Sequence, residues 1–249
     1  MKIKKDLIGH EIAHGEKISH DAENIWGWGS VAGQQRAERR AQYFIDLGEI
    51  TRSNDVLEIG CGTGTFTEKV YLSTNANITA IDVSPALLEQ ARIKLPNVKF
   101  LIENAMSLSA ENDTFDVVYG SSVLHHLDMP AALSEFYRVL RPATDNGKPG
   151  KLVFAEPNML NPQIFIQKNV PCIKRWMGDS PDETAIIRFT MVKLLQKTGY
   201  KNVSVFPYDF LHPMIPKLLT GMFSTIGQVA EKIPLLKEMA GSVIIYAEK

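Results

Sequence analysis

The chain predicts an α/β fold in which a largely parallel sheet is wrapped by helices, and three observations lead there. Short apolar runs alternate with stretches of helical period, the pattern of parallel strands joined by crossovers. The first run passes into a helix through closely spaced glycines. Runs in this order end in Asp82, Asn104, Ser121 and Glu156, which the crossovers would gather along one edge of the sheet, at the strands' carboxyl ends. The bulk numbers agree: 249 residues, 45% hydrophobic and 22% charged, suit an ordinary globular protein of one large domain or two small ones. A net charge of −1 leaves no electrostatic footprint for DNA or RNA, so nucleic acid is not an expected partner. Cys61 and Cys172 stand far apart, which fits a reducing compartment better than a disulfide framework. The start, Met1-Lys2-Ile3-Lys4-Lys5-Asp6, lacks the apolar core of a signal peptide, and no apolar run approaches a membrane span. A cytoplasmic protein is expected.

Val56, Leu57 and Ile59 read as the first buried strand and Thr65 to Val70 as the opening turns of a helix. Between them lie Glu58, Gly60, Cys61, Gly62 and Gly64. Such a turn brings bare backbone amides, at the positive end of a helix dipole, against a ligand. The dinucleotide fingerprint G-x-G-x-x-G would need a glycine where Thr65 stands. A second strand, Ile78 to Ile81, ends in Asp82, at about the roughly 20-residue step that separates a nucleoside-binding loop from a ribose-gripping carboxylate. Asp82 can alternatively cap the next helix, but Ser84 and Pro85 already supply that start signal and leave it free. A third strand, Val98 to Ile102, leads to Glu103-Asn104-Ala105. The fourth, Phe115 to Gly120, continues into Ser121 and the run Val123-Leu124-His125-His126-Leu127. Asp128-Met129-Pro130 starts a helix with Leu133, Phe136, Tyr137 and Leu140 at helical spacing, and Arg141-Pro142 stops it. The fifth strand is Lys151 to Glu156. A helix containing Met191, Leu194 and Leu195 ends at Gly199, followed by strands Lys201 to Phe206 and Ser242 to Ala247.

The loop E-x-G-x-G-x-G resembles the first motif of class I S-adenosyl-L-methionine (SAM)-dependent methyltransferases, and F-D-V-V-x-x-x-x-V-L-H-H-L is similar to the fourth motif of the group that includes ubiquinone and menaquinone biosynthesis enzymes. The resemblance covers Asp55 to Asn158, under half of the chain. It implies a Rossmann-like seven-stranded sheet, mostly parallel with an antiparallel last pair, and SAM as cofactor. The residues that it places at the cofactor are Glu58, Gly60, Cys61, Gly62, Gly64, Asp82, Val83, Asn104, Ala105 and Ser121. Glu58 would orient the loop or the methionine amino group, or be a strand-end carboxylate satisfied by loop amides. The usual Gly-Asp-Ala facing the adenine is here Glu103-Asn104-Ala105; the Asn104 carbonyl can still accept from an exocyclic amine.

Three segments exceed the minimal fold: residues 1–53, about 158–187 and about 208–241, the last two as insertions in a domain spanning 54–249. The third carries an apolar stripe at helical period from Ile215 to Ile233. All three read as a helical cap over the cofactor, with the stripe a lid on the acceptor rather than a membrane anchor. Trp26 and Trp28, between glycines, either close over a ligand or pack the cap. Arg36, Arg39 and Arg40 share a helix face, ordinarily a solvated stripe, from which one can meet the SAM carboxylate. His10 and His14 read as a solvated face rather than a metal site, and no metal is expected.

Methyl transfer from a sulfonium needs alignment and exclusion of water, and a hydroxyl acceptor also needs a base. His125, His126, Glu156 and His212 are the candidates, the last paired with Asp209; structural roles compete at each. The expected function is methyl transfer to a small-molecule acceptor, oxygen preferred. A non-catalytic SAM-binding or partner-binding subunit is the rival, and a nicotinamide dehydrogenase a weaker one. The acceptor and the oligomeric state are not legible.

Overall fold

In a computed structural model describing residues 4–144, 147–176 and 184–249, the apolar runs become strands whose alternate side chains feed two helical layers. The amino-terminal segment holds α1 (Lys4–Ile18), a 3-10 turn, the short α2 (Ala22–Ile25) and α3 (Val31–Gly48). Then follow β1 (Asp55–Ile59), α4 (Thr65–Thr74), β2 (Asn77–Asp82), α5 (Pro85–Lys94), β3 (Lys99–Ile102), β4 (Val117–Ser121), α6 (Met129–Val139) and β5 (Lys151–Pro157). The rest comprises α7 (Pro162–Asn169), α8 (Pro171–Trp176), α9 (Arg188–Thr198), β6 (Lys201–Tyr208), α10 (Thr220–Ala230) and β7 (Ser242–Glu248). Ser84 and Asp128 cap α5 and α6, each with proline in the first turn, as those sequences predict. The fourth strand starts later than the predicted Phe115, at Val117, and Phe115 forms an isolated bridge with Leu140.

The seven strands run in the order β3-β2-β1-β4-β5-β7-β6. β3, β2, β1, β4 and β5 pair in parallel, and β7 is antiparallel to both β5 and β6. Val56, Tyr119, Val153 and Ala155 pack with Ala37, Ala41 and Phe44 of α3 and with α4 and α5. Leu57, Val118, Leu152 and Phe154 face the other way, onto α6 and α9. Fully burying one such side chain contributes roughly 1.5–3 kcal/mol, enough for the two faces together to fix strand register. α3 therefore belongs to the helix layer against β5, not to a cap as the sequence suggests, because its small inner residues seat it on the sheet.

The second and third extra segments leave the carboxyl ends of β5 and β6, while α1 packs against α5. Met159 N donates to Ile186 O, so the second segment leaves β5 and returns beside its end; residues 177–183 of it lie outside the described residues. Ser30 Oγ bonds Pro213 O at 2.8 Å, Gln163 meets His212 and Asn161 Nδ2 bonds Met239 O, tying all three segments together. The stripe of the third segment departs from the sequence expectation. Its helix is only Thr220–Ala230, and Thr220, Gly227 and Ala230 face the body while Met222, Phe223, Ile226 and Val229 are exposed. The lid packing predicted for these large side chains is not formed among the described residues. Gly227 decides this, since its hydrogen-sized face lies against Phe210, where a Cβ would sit 3.1 Å from the Phe210 Cβ.

Candidate active site

The glycine loop sits at the carboxyl end of β1, where the strand turns into α4. Gly60 has φ +66°, and a Cβ there would come within 2.5 Å of Val123. Gly62 has φ +54° and lies under the Trp26 ring, 3.0 Å from where a Cβ would stand. Both positions need glycine, for backbone angle and for close approach. Gly64 precedes the first residue of α4. Cys61 N bonds Ile81 O at 3.0 Å, anchoring the loop to β2, and burial pushes the Cys61 thiol well up, so it is not a nucleophile.

Asp82 is not free. Its Oδ2 accepts from Gly62 N and its Oδ1 from Ser84 N, both at 2.9 Å, so it braces the glycine loop against β2. An ionised carboxylate offers about four acceptor sites, so these amides leave it capacity for a hydroxyl donor. Burial raises its pKa in spite of the amides. Val83 is half-buried beside it. Asn104 Oδ1, predicted to face an exocyclic amine, is taken by Met106 N at 2.9 Å in a local turn, and Ala105 is in the core. The asparagine amide thus spends its acceptor on its own loop.

Glu58 points into the protein. Its position in β1, in step with Val56 and in register with Tyr119, turns it beneath α4. Oε2 accepts from Thr67 Oγ1 at 2.5 Å and from Tyr119 OH at 2.7 Å. Burial pushes its pKa up to about 7, against the pull of those two hydroxyls, with the Asp82 charge adding to the rise. Hydroxyls, not loop amides, satisfy it.

Glu156, a predicted base, is fully buried at the end of β5 and already committed. Oε1 accepts from Val123 N at 2.8 Å and Leu124 N at 2.9 Å, and Oε2 lies 2.7 Å from His125 Nδ1. Burial alone would raise its pKa, but the bond and charge of His125 with the two amides hold it below the ordinary value. An ionised carboxylate only accepts, so His125 donates to Glu156 from Nδ1. The His126 ring lies tilted at 41° against His125 with ring centres 4.1 Å apart, and its Nδ1 lies 3.0 Å from Glu11 Oε1 of α1. The Asp209–His212 pair does not form. Asp209 is paired with Arg36 at 2.7 Å and accepts from Leu211 N, while His212 Nδ1 accepts from Met214 N. Burial first, and then the Arg36 charge, lower the His212 pKa.

Arg40 is the residue that the sequence reading undervalued. It is 2% exposed and donates to Tyr208 OH, Ser121 Oγ, Ser122 Oγ and Ser242 Oγ, all hydroxyls. The Trp28 and Phe66 rings cover it, and no carboxylate pairs with it among the described residues. The signal was present: Ala37, Arg40, Ala41 and Phe44 share the inner face of α3. Arg36 and Arg39 are instead paired, with Asp209 and Glu231.

The amino-terminal segment covers the cleft. Glu23 Oε1 accepts from the Thr63 and Thr65 hydroxyls of the loop and from Lys94, and Gly15 of α1 lies so close to Ser84 that a Cβ would collide with it. Trp28 packs edge-on against Phe66 in the core, so only Trp26 of the two tryptophans meets the loop. A groove of about 680 Å³ between α3, β6 and α10 lies apart from this cleft, lined by Arg36, Arg39, Tyr208 and Phe210.

Residues 56–143 match a family described as a methyltransferase domain. A demethylmenaquinone methyltransferase of Chlorobaculum tepidum is 34% identical over 222 residues, 82% of this chain and 83% of that protein. An uncharacterized methyltransferase-like protein of Schizosaccharomyces pombe is 35% identical over 139 residues, where the match spans 56% of this chain and about half, 52%, of the relative's length. Among solved structures, an N-methyltransferase of Bradyrhizobium japonicum in complex with S-adenosyl-L-homocysteine superposes with a TM-score of 0.63, covering 96% of this chain and 98% of that one. At 16% identity that likeness concerns the fold alone.

Proposed function

Because the chain belongs to the class I SAM-dependent methyltransferases, we propose that it moves a methyl group from S-adenosyl-L-methionine to a hydroxyl of a small-molecule acceptor. One observation carries the choice of oxygen: His125, held by the buried Glu156, stands at the carboxyl ends of β4 and β5, in line with the glycine loop and Asp82.

The residues present fit the cofactor. The amides of the left-handed glycines offer close backbone approach, and Asp82 keeps lone pairs for ribose hydroxyls. Arg40 supplies a buried cation whose polar partners among the described residues are hydroxyls, which suits the methionine carboxylate. Asn104 can meet adenine only by sharing its occupied carbonyl or through its amide nitrogen. When bound, SAM supplies a methyl on a sulfonium for in-line displacement. The chain's own residues do the rest. Trp26 and α1 exclude water from above the loop. His125 Nε2 takes the acceptor's hydroxyl proton, and Glu156 fixes the tautomer and steadies the imidazolium, an arrangement worth typically 10²–10⁴-fold. Such an oriented histidine supports turnover over a non-catalytic cofactor-binding subunit.

The test is release of S-adenosyl-L-homocysteine across a panel of phenols, alcohols and amines, with calorimetric cofactor titration alongside. His125→Ala should lower kcat toward the best hydroxyl by about 10²–10⁴-fold while product-cofactor affinity holds. Turnover confined to amines, or an unaffected kcat in His125→Ala, would refute oxygen transfer by this base.

A further inference from the structure

We propose that the outward face of α10 and the turns flanking it, together with α7, docks on an anionic lipid bilayer. The helix is mounted inside out. Polar and small groups seat it on the body: Gln35 Nε2 bonds Ser224 Oγ at 3.1 Å, Arg39 holds Glu231 through two bonds, and Gly227 lies on Phe210. Its large side chains turn away. Met222, Ile226 and Val229 are 52%, 56% and 56% exposed, and Leu218 in the preceding turn is 92% exposed. Phe165 and Ile166 of α7 are exposed as well, and the Gln163–His212 and Asn161–Met239 contacts bring α7 alongside this segment. An apolar surface of this extent, rimmed by polar residues, marks an interaction site rather than ordinary scatter.

Charge selects the occupant. The chain as a whole is at −1, so the local charge around α10 is what matters. Between 210 and 241 the acids are Glu231 and Glu238, and Arg39 and Arg188 of the body hold both. Lys217, Lys232 and Lys237 have no acidic partner among the described residues. Cationic side chains at both ends of an apolar helix match an anionic bilayer, where the apolar face enters the interface and the lysines meet headgroups. A second copy of the chain would bring like charge against like. No helix among the described residues is long and apolar enough to cross a membrane, so the contact is peripheral.

Flotation of the full chain with vesicles tests this, comparing phosphatidylcholine alone with an equal mixture of phosphatidylcholine and phosphatidylglycerol. The wild type should float with the mixed vesicles, less with the neutral ones, and less at high salt. Met222→Asp and Ile226→Asp, both at exposed positions, should each lower the bound fraction about tenfold with circular dichroism unchanged. Changing Lys217, Lys232 and Lys237 together to glutamate should remove the preference for the anionic mixture. Wild type left in the lipid-free fraction, equal recovery with both vesicle types, or full flotation of the aspartate variants would overturn the proposal. So would a dimer that Ile226→Asp splits, with no flotation by the wild type.

Discussion

Glu58→Gln should make the protein's stability less sensitive to pH across the neutral range. The Glu58 carboxyl is buried against Thr67 and Tyr119, with its pKa raised from an ordinary 4.5 to about 7. Within that window the folded protein keeps a proton that the unfolded chain has released. The contribution of Glu58 to stability therefore falls as pH rises from the lower value through the upper one, and is gone only above it. A difference of about 2.5 pKa units, at 1.36 kcal/mol each, makes the ionised form costly by about 3 kcal/mol. Glutamine keeps a carbonyl for the two hydroxyls and never ionises. Other groups also titrate, Asp82 in the same direction and Glu156 in the opposite one, so the comparison is between the two proteins at each pH. Urea unfolding at about pH 5 and about pH 8 should show the variant gaining on the wild type by roughly 2–3 kcal/mol between them. An equal difference at both values, or a gain toward acid, would refute the burial argument.

Asp82→Ala should weaken cofactor binding by about tenfold or more and also lower the melting temperature, because it orphans Gly62 N and Ser84 N; lost affinity at an unchanged melting temperature would show that the brace contributes nothing. Arg40→Met should reduce affinity for S-adenosyl-L-homocysteine about tenfold or more, with Arg40→Lys between the two, as calorimetry would register; unaltered binding in Arg40→Met would make this arginine purely structural. Glu23→Gln loses the charge toward Lys94 and should raise amide hydrogen exchange in α1 and α2 while β1 and β4 stay protected. Unchanged exchange there would mean that the Glu23 contacts do not hold the segment down.

By itself the sequence determined the strand and helix order, the glycine turn and the row of strand ends, because these rest on signals a few residues long. Short apolar runs with polar ends, serine or aspartate before proline, and glycine at a left-handed turn act on the local backbone wherever the segment ends up. The inward turn of Glu58 was not among them, because its partners Thr67 and Tyr119 become neighbours only when α4 and β4 pack. The long-range commitments of polar groups were decided by the tertiary structure alone. Glu156 meets amides 32 and 33 residues earlier, Asp209 meets Arg36 across 173 residues, and Arg40 finds Ser242 across 202. No spacing rule reaches that far, because such contacts depend on how whole elements dock. The α10 stripe shows the same division: its helical period was legible, but which side faces the body followed from Gly227 meeting Phe210 and Arg39 meeting Glu231. Periodicity describes one helix, whereas the choice of buried face is a property of two surfaces brought together.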